Sequence, residues 1–95
     1  MIAPHVVCTN PDGTASAYIC ELRDEETFSR WQAVLSRVEA DEVIKDRYEE
    51  MGIETRYYRI SDELLQGTWS YGEYGIRGPA DLVSRLVAEL LTEAS

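Results

Sequence analysis

Ninety-five residues and 10.8 kDa fit one domain spanning residues 1–95, since folded units run from about 50 to 200 residues and one this small holds a single modest core rather than a deep enclosed cavity. Eighteen Asp and Glu against nine Lys and Arg give a net charge of −9 and a pI near 4.4, which argues against direct binding to nucleic acid or to an anionic membrane and makes a basic molecule the natural partner. No apolar run approaches the roughly 20 residues of a membrane span, and Met1-Ile2-Ala3-Pro4-His5 lacks the basic and apolar regions of a signal peptide, so the expected location is cytoplasmic.

Asn10-Pro11-Asp12-Gly13 carries type I turn chemistry followed by a left-handed glycine, predicting a bulged hairpin that pairs Asn10 with Thr14. Counting along that ladder sets Cys8 opposite Ser16 and Cys20 opposite Pro4. The two sulfurs then stand about 13 Å apart along the sheet, too far for a disulfide, which needs Cα atoms within about 7 Å. The same register places Val6, Cys8, Tyr18, Cys20 and Leu22 on one face and Val7, Ala15, Ala17 and Ile19 on the other.

Asp24 is an expected N-cap, with Glu25 and Glu26 in the first helical turn. Phe28, Trp31, Leu35 and Val38 come next at helical spacing, and helix-forming residues continue to Met51, with Gly52 as a stop. On one straight helix, however, the side carrying Phe28, Trp31, Leu35 and Val38 would also carry Glu39, Glu42, Asp46, Glu49 and Glu50, while Ile44, Tyr48 and Met51 point the opposite way. The reading therefore breaks the helix near residues 39–41 and caps a second helix with Asp41. Residues 53–60 read as a strand, residues 61–67 as a single capped helical turn, and residues 68–76 as a short fourth strand. Gly78 and Pro79 open a last helix in which Leu82, Val83, Leu86, Val87, Leu90 and Leu91 form a broad apolar face. The expected fold class is α+β, a mainly antiparallel sheet of three or four strands with helices on one face, in the order ββααβ(β)α.

Catalytic chemistry finds little support. His5 is the one histidine, and alternation along the first strand puts it on the face opposite Cys8, so the available nucleophile and base do not meet. Zinc-ligand spacings, phosphate-binding glycine loops and nucleophile elbows are absent, so no metal or cofactor is expected and the chain reads as a non-enzyme. Acidity is concentrated instead: residues 24–51 hold nine acids against four bases. Glu39, Glu42, Asp46, Glu49 and Glu50 would form a stripe along a helix of about 15 Å, where carboxylates can stand in for phosphates in a basic groove. Trp69, Tyr71, Tyr74 and Arg77 in the glycine-rich segment form a second candidate contact, since aromatic side chains on flexible glycine loops suit protein binding. The functional expectation is a small acidic binding protein that inhibits or modulates a basic, nucleic-acid-handling partner, in the manner of an immunity protein, antitoxin or phage-encoded inhibitor. A structural subunit that self-associates, for instance as a homodimer through Ile44, Tyr48 and Met51, is the alternative, and a small enzyme or ligand carrier with a pocket near Tyr18, Cys20 and Tyr57 the third.

Overall fold

In a computed structural model that describes residues 7–48 and 52–93, with the side chains of 44–48 and 93 excepted, the first turn forms as its chemistry dictates. It joins β1 (Val7–Thr9) to β2 (Thr14–Glu21). Asn10 donates its amide to the Thr14 carbonyl at 2.8 Å, and Gly13 closes the turn at φ 85°. Asp12 accepts from both the Thr14 hydroxyl and amide, which holds its carboxyl below the usual range with further help from Arg77. Cys8 stands opposite Ser16 as expected, and both cysteines are free; Pro4, Val6 and His5 lie outside the described residues. The face assignment needs correction beyond Tyr18. A bulge between Tyr18 and Cys20 shifts the register, so Ile19 and Cys20 are both buried and Leu22 is left 65% exposed.

Helix α1 (Glu25–Arg37) starts where the sequence places it, with the Asp24 carboxylate accepting from the Thr27 amide at 3.0 Å. It also ends near the expected break. Glu39 adopts φ 55°, and the Glu39 and Ala40 amides donate to the Ser36 and Leu35 carbonyls, the pair of bonds that closes a helix through a left-handed residue. The expected second helix, however, does not form. Residues 41–48, Ile44 and Tyr48 among them, are strand β3 (Asp41–Tyr48), paired antiparallel with β4 (Ile53–Ile60), and Gly52, at φ 66°, belongs to the turn between them. Nor do residues 61–67 make a helical turn. After a two-residue loop, β5 (Glu63–Ser70) pairs along the whole of β4, and β6 (Glu73–Pro79) returns beside it. Pairing outweighs local preference in both places, because a strand's stability comes from its neighbours rather than from its own residues.

Six antiparallel strands in the order β1-β2-β6-β5-β4-β3 thus replace the expected three or four, and the element order is ββαββββα. The chain leaves β2, crosses through α1 to the far edge at β3, and meanders back until β6 pairs with β2. Helix α2 (Ala80–Glu93) buries Leu82, Val83, Leu86, Val87 and Leu90 as expected, while Leu91 is half exposed. Both helices share one core with Ala15, Ala17, Leu65, Tyr74 and Ile76 on a single face of the sheet. They contact one another and strands β1, β2, β5 and β6, and Ile60 and Tyr58 carry the same core onto β4.

Glu39 is exposed and carries a left-handed conformation that favours glycine. Glu39→Gly is expected to raise unfolding stability by about 0.5–1 kcal/mol, measured by urea denaturation. No gain would mean that the helix terminus is not strained there.

Candidate protein-binding surface

An aromatic cluster fixes one end of the molecule. Trp31 of α1 is fully buried and donates its indole N–H to the Tyr74 hydroxyl at 3.1 Å. Tyr74 also hydrogen-bonds Tyr58, whose oxygen meets Arg56, and burial among these groups raises the Tyr74 pKa. To reach Trp31 the Tyr74 ring lies over β5 at Gly67, where a side-chain Cβ would fall on the tyrosine hydroxyl and 2.9 Å from its ring carbon Cζ. Phe28 and Trp69 pack against the Tyr74 ring at centroid separations of 5.5 and 5.0 Å, and against each other at 5.2 Å. Their outer edges stay half exposed.

The loops above this cluster are tied together. Tyr71 and Gly72 take φ 51° and 82°, the two positive values of a tight hairpin turn between β5 and β6. The Leu22 amide donates to the Gly72 carbonyl at 2.7 Å, and the Asp24 amide to the Glu21 carbonyl at 3.1 Å, so the β2–α1 connection is fastened to that turn. Leu22 and Tyr71, 65% and 77% exposed, consequently stand out from this end of the sheet. Around them lie Glu21, Asp24 and Glu25 from the β2–α1 segment and Glu73 from β6, with Arg23 among them. Glu21 and Glu73 are register partners across β2 and β6. Burial first, and then these two carboxylates, raise the pKa of Tyr18 nearby.

Two hollows open on this surface. Leu22, Glu25, Phe28, Ser29 and Trp69 line one of about 480 Å³, and Glu21, Leu22, Arg23, Tyr71 and Glu73 line another of about 300 Å³. A third, of about 260 Å³, lies on the face of the sheet opposite the helices, beside Tyr57, Leu64 and Gln66; its charged wall, Arg77, is paired with Asp12 at 3.3 Å.

The candidate residues from the sequence separate in this structure. Trp69 and Tyr71 belong to the surface, Tyr74 is buried beneath it, and Arg77 lies toward the other end of β6. The acidic stripe does not exist as a helix face. Glu39 sits at the end of α1, and a bulge between Glu42 and Ile44 sets Glu42 opposite Tyr58 but Asp46 opposite Thr55, register positions that belong to opposite faces of the sheet. Arg56 engages Glu42 at 3.8 Å and Glu54 at 3.2 Å. Glu49, Glu50 and Met51 lie outside the described residues. Sequence reasoning missed Glu21, Leu22, Glu25, Phe28 and Glu73 as a group, because the bulge that turns Leu22 outward leaves no mark in the alternation.

For other chemistry, burial pushes the Cys20 thiol up to about 11, with Asp24 adding to the shift, so it is held as an unreactive thiol. Among the described residues no three His, Cys, Asp or Glu side chains converge as a metal site, and no helix is long and apolar enough to cross a membrane. The chain matches no family model, no curated protein and no solved structure.

Tyr74→Phe, which strands the buried Trp31 N–H, is expected to lower stability by about 1–3 kcal/mol in urea denaturation. Gly67→Ala should cost a similar amount by forcing the Tyr74 ring off β5, and should also alter the near-ultraviolet circular dichroism of the aromatic cluster. Unchanged stability in both variants would show that the cluster does not hold α1 to the sheet.

Proposed function

We propose that this protein is a small acidic protein-binding module that restrains or modulates a basic partner. The observation that carries the reading is the placement of Leu22 and Tyr71, exposed and apolar, beside the acidic residues Glu21, Glu25 and Glu73. Protein interfaces draw their affinity from a few large side chains near the centre and their steering from charges at the rim. A net charge of −9 extends that steering over the whole surface. Basic surfaces shaped for phosphates are common on nucleic-acid-handling proteins, which makes such a protein the partner class of choice, and an inhibitor of the immunity or antitoxin kind a fitting role. Support comes from this end of the sheet rather than from the helical stripe expected of residues 39–50.

Self-association is the second reading, favoured by one feature: among the described residues β3 pairs with β4 alone and leaves its outer backbone edge open, with Val43 39% exposed in the bulge.

Affinity capture from lysate of the source cell at low and high salt separates the two. The binding module should retain a basic protein that elutes as salt rises, and the double variant Glu21→Lys, Glu73→Lys should lose at least about tenfold in retention. Its melting temperature should hold, because one pair of like charges facing across the strands is exchanged for another at exposed positions. Recovery of this chain alone, at twice its mass and indifferent to salt, would replace the first reading with the second.

A further inference from the structure

We infer that the acidic end recognises a linear segment in which an aliphatic or aromatic residue and an arginine lie at a fixed spacing from one another, the apolar residue entering the Phe28–Trp69 hollow and the guanidinium the Tyr71–Glu73 hollow. This rests on the reading of that end as the binding surface and specifies what it binds. The two hollows are contiguous, since Leu22 forms a wall of each, but their chemistry differs. Three of the five residues lining the larger one are apolar or aromatic, and its acidic member, Glu25, belongs to the first turn of α1. A side chain seated there would cover the exposed edges of rings already packed against each other, tilted by 57° at a centroid separation of 5.2 Å, and would cost the protein little ordering.

The smaller hollow is built for a cation. Glu21 and Glu73 oppose each other across β2 and β6, an arrangement that destabilises a sheet when nothing neutralises it. Among the described residues neither carboxylate takes part in an ion pair, and nor does Arg23 on the same wall, so two carboxylates stand against one guanidinium and the wall keeps a net negative charge. Tyr71, 77% exposed in its turn, adds a ring face to the same hollow. A planar guanidinium can bridge two carboxylates and stack on a tyrosine at once, which a compact ammonium cannot, so arginine is favoured over lysine. The turn and its tie to Leu22 hold the two hollows in fixed relation, and hence the spacing of the segment's two anchors.

A random dodecapeptide library selected against the immobilised 95-residue protein tests this. Enriched peptides should carry Leu, Ile, Phe or Trp at one recurring spacing from an Arg. Their binding should change tryptophan emission, and that change reports Trp69 because Trp31 is fully buried. Leu22→Ser and Glu73→Lys, both at exposed positions, should each weaken the selected peptides by about tenfold without lowering the melting temperature, which for Glu73→Lys should hold or rise as the new ammonium faces Glu21. Enrichment of basic peptides that lack an apolar anchor and ignore Leu22→Ser would overturn the two-anchor code while leaving a basic partner in place. Enrichment of neutral or acidic peptides, or of none, would overturn the code as well, and salt-dependent capture from lysate then decides independently whether a basic partner exists.

Discussion

A single hydrogen bond crosses the molecule's layers and sets the terms for the rest. Trp31 occupies the centre of α1 with no exposure, and its indole N–H has to find an acceptor in the core. The Tyr74 hydroxyl supplies it, which requires the Tyr74 ring to lie across β5, and β5 allows this because residue 67 has no side chain. With the ring in that place, the space toward the end of the sheet is filled by Phe28 from the helix and Trp69 from the strand, each touching the ring and each leaving an edge to solvent. The aromatic floor of the proposed binding surface is therefore a by-product of satisfying one buried donor.

The same bond explains why β5 was hard to see in the sequence. Ser61-Asp62-Glu63-Leu64-Leu65-Gln66-Gly67 resembles a capped helical turn ended by glycine, and Gly67 counts against a strand on any local scale. Its reason for being there is Tyr74, seven residues further on, and no window of local sequence contains both the cause and its geometry. By contrast β4 and the Asn10-to-Thr14 turn were legible residue by residue, because β-branched and aromatic content and the Pro-Asp-Gly chemistry act locally. The N-cap at Asp24 and the helix end near Glu39 were legible for the same reason.

The acidic segment shows how a correct physical objection can lead to an incomplete answer. A straight helix through residues 24–51 would have turned carboxylates to the core, and the chain does change direction at Glu39. The alternative to a straight helix, however, included a strand as well as a second helix. Residues 41–48 take that option beside β4, where Arg56 meets Glu42 and Glu54. Periodicity alone does not separate the two for a short charged segment, and the choice belongs to the partner strand. Once made, it scatters the expected stripe: a strand sends successive residues to opposite faces, and the bulge after Glu42 parts even positions four residues apart.

Charge in this protein is thus organised by where the sheet's turns fall. The chain passes one end of the sheet through the β2–α1 connection and the β5–β6 turn, and each passage brings acidic residues together with a residue that cannot be buried: Leu22, displaced by the bulge in β2, and Tyr71, held in a left-handed turn conformation. A tyrosine at φ 51° is in a conformation that glycine or asparagine would adopt more readily, so the sequence carries a large side chain where the backbone prefers a small one. Neither residue contributes its apolar surface to the core, and each lies beside carboxylates that other strands place there. Folding alone would be served better by small or polar residues at both positions, and that local conflict with the demands of stability is what singles out this end of the sheet as the proposed binding surface.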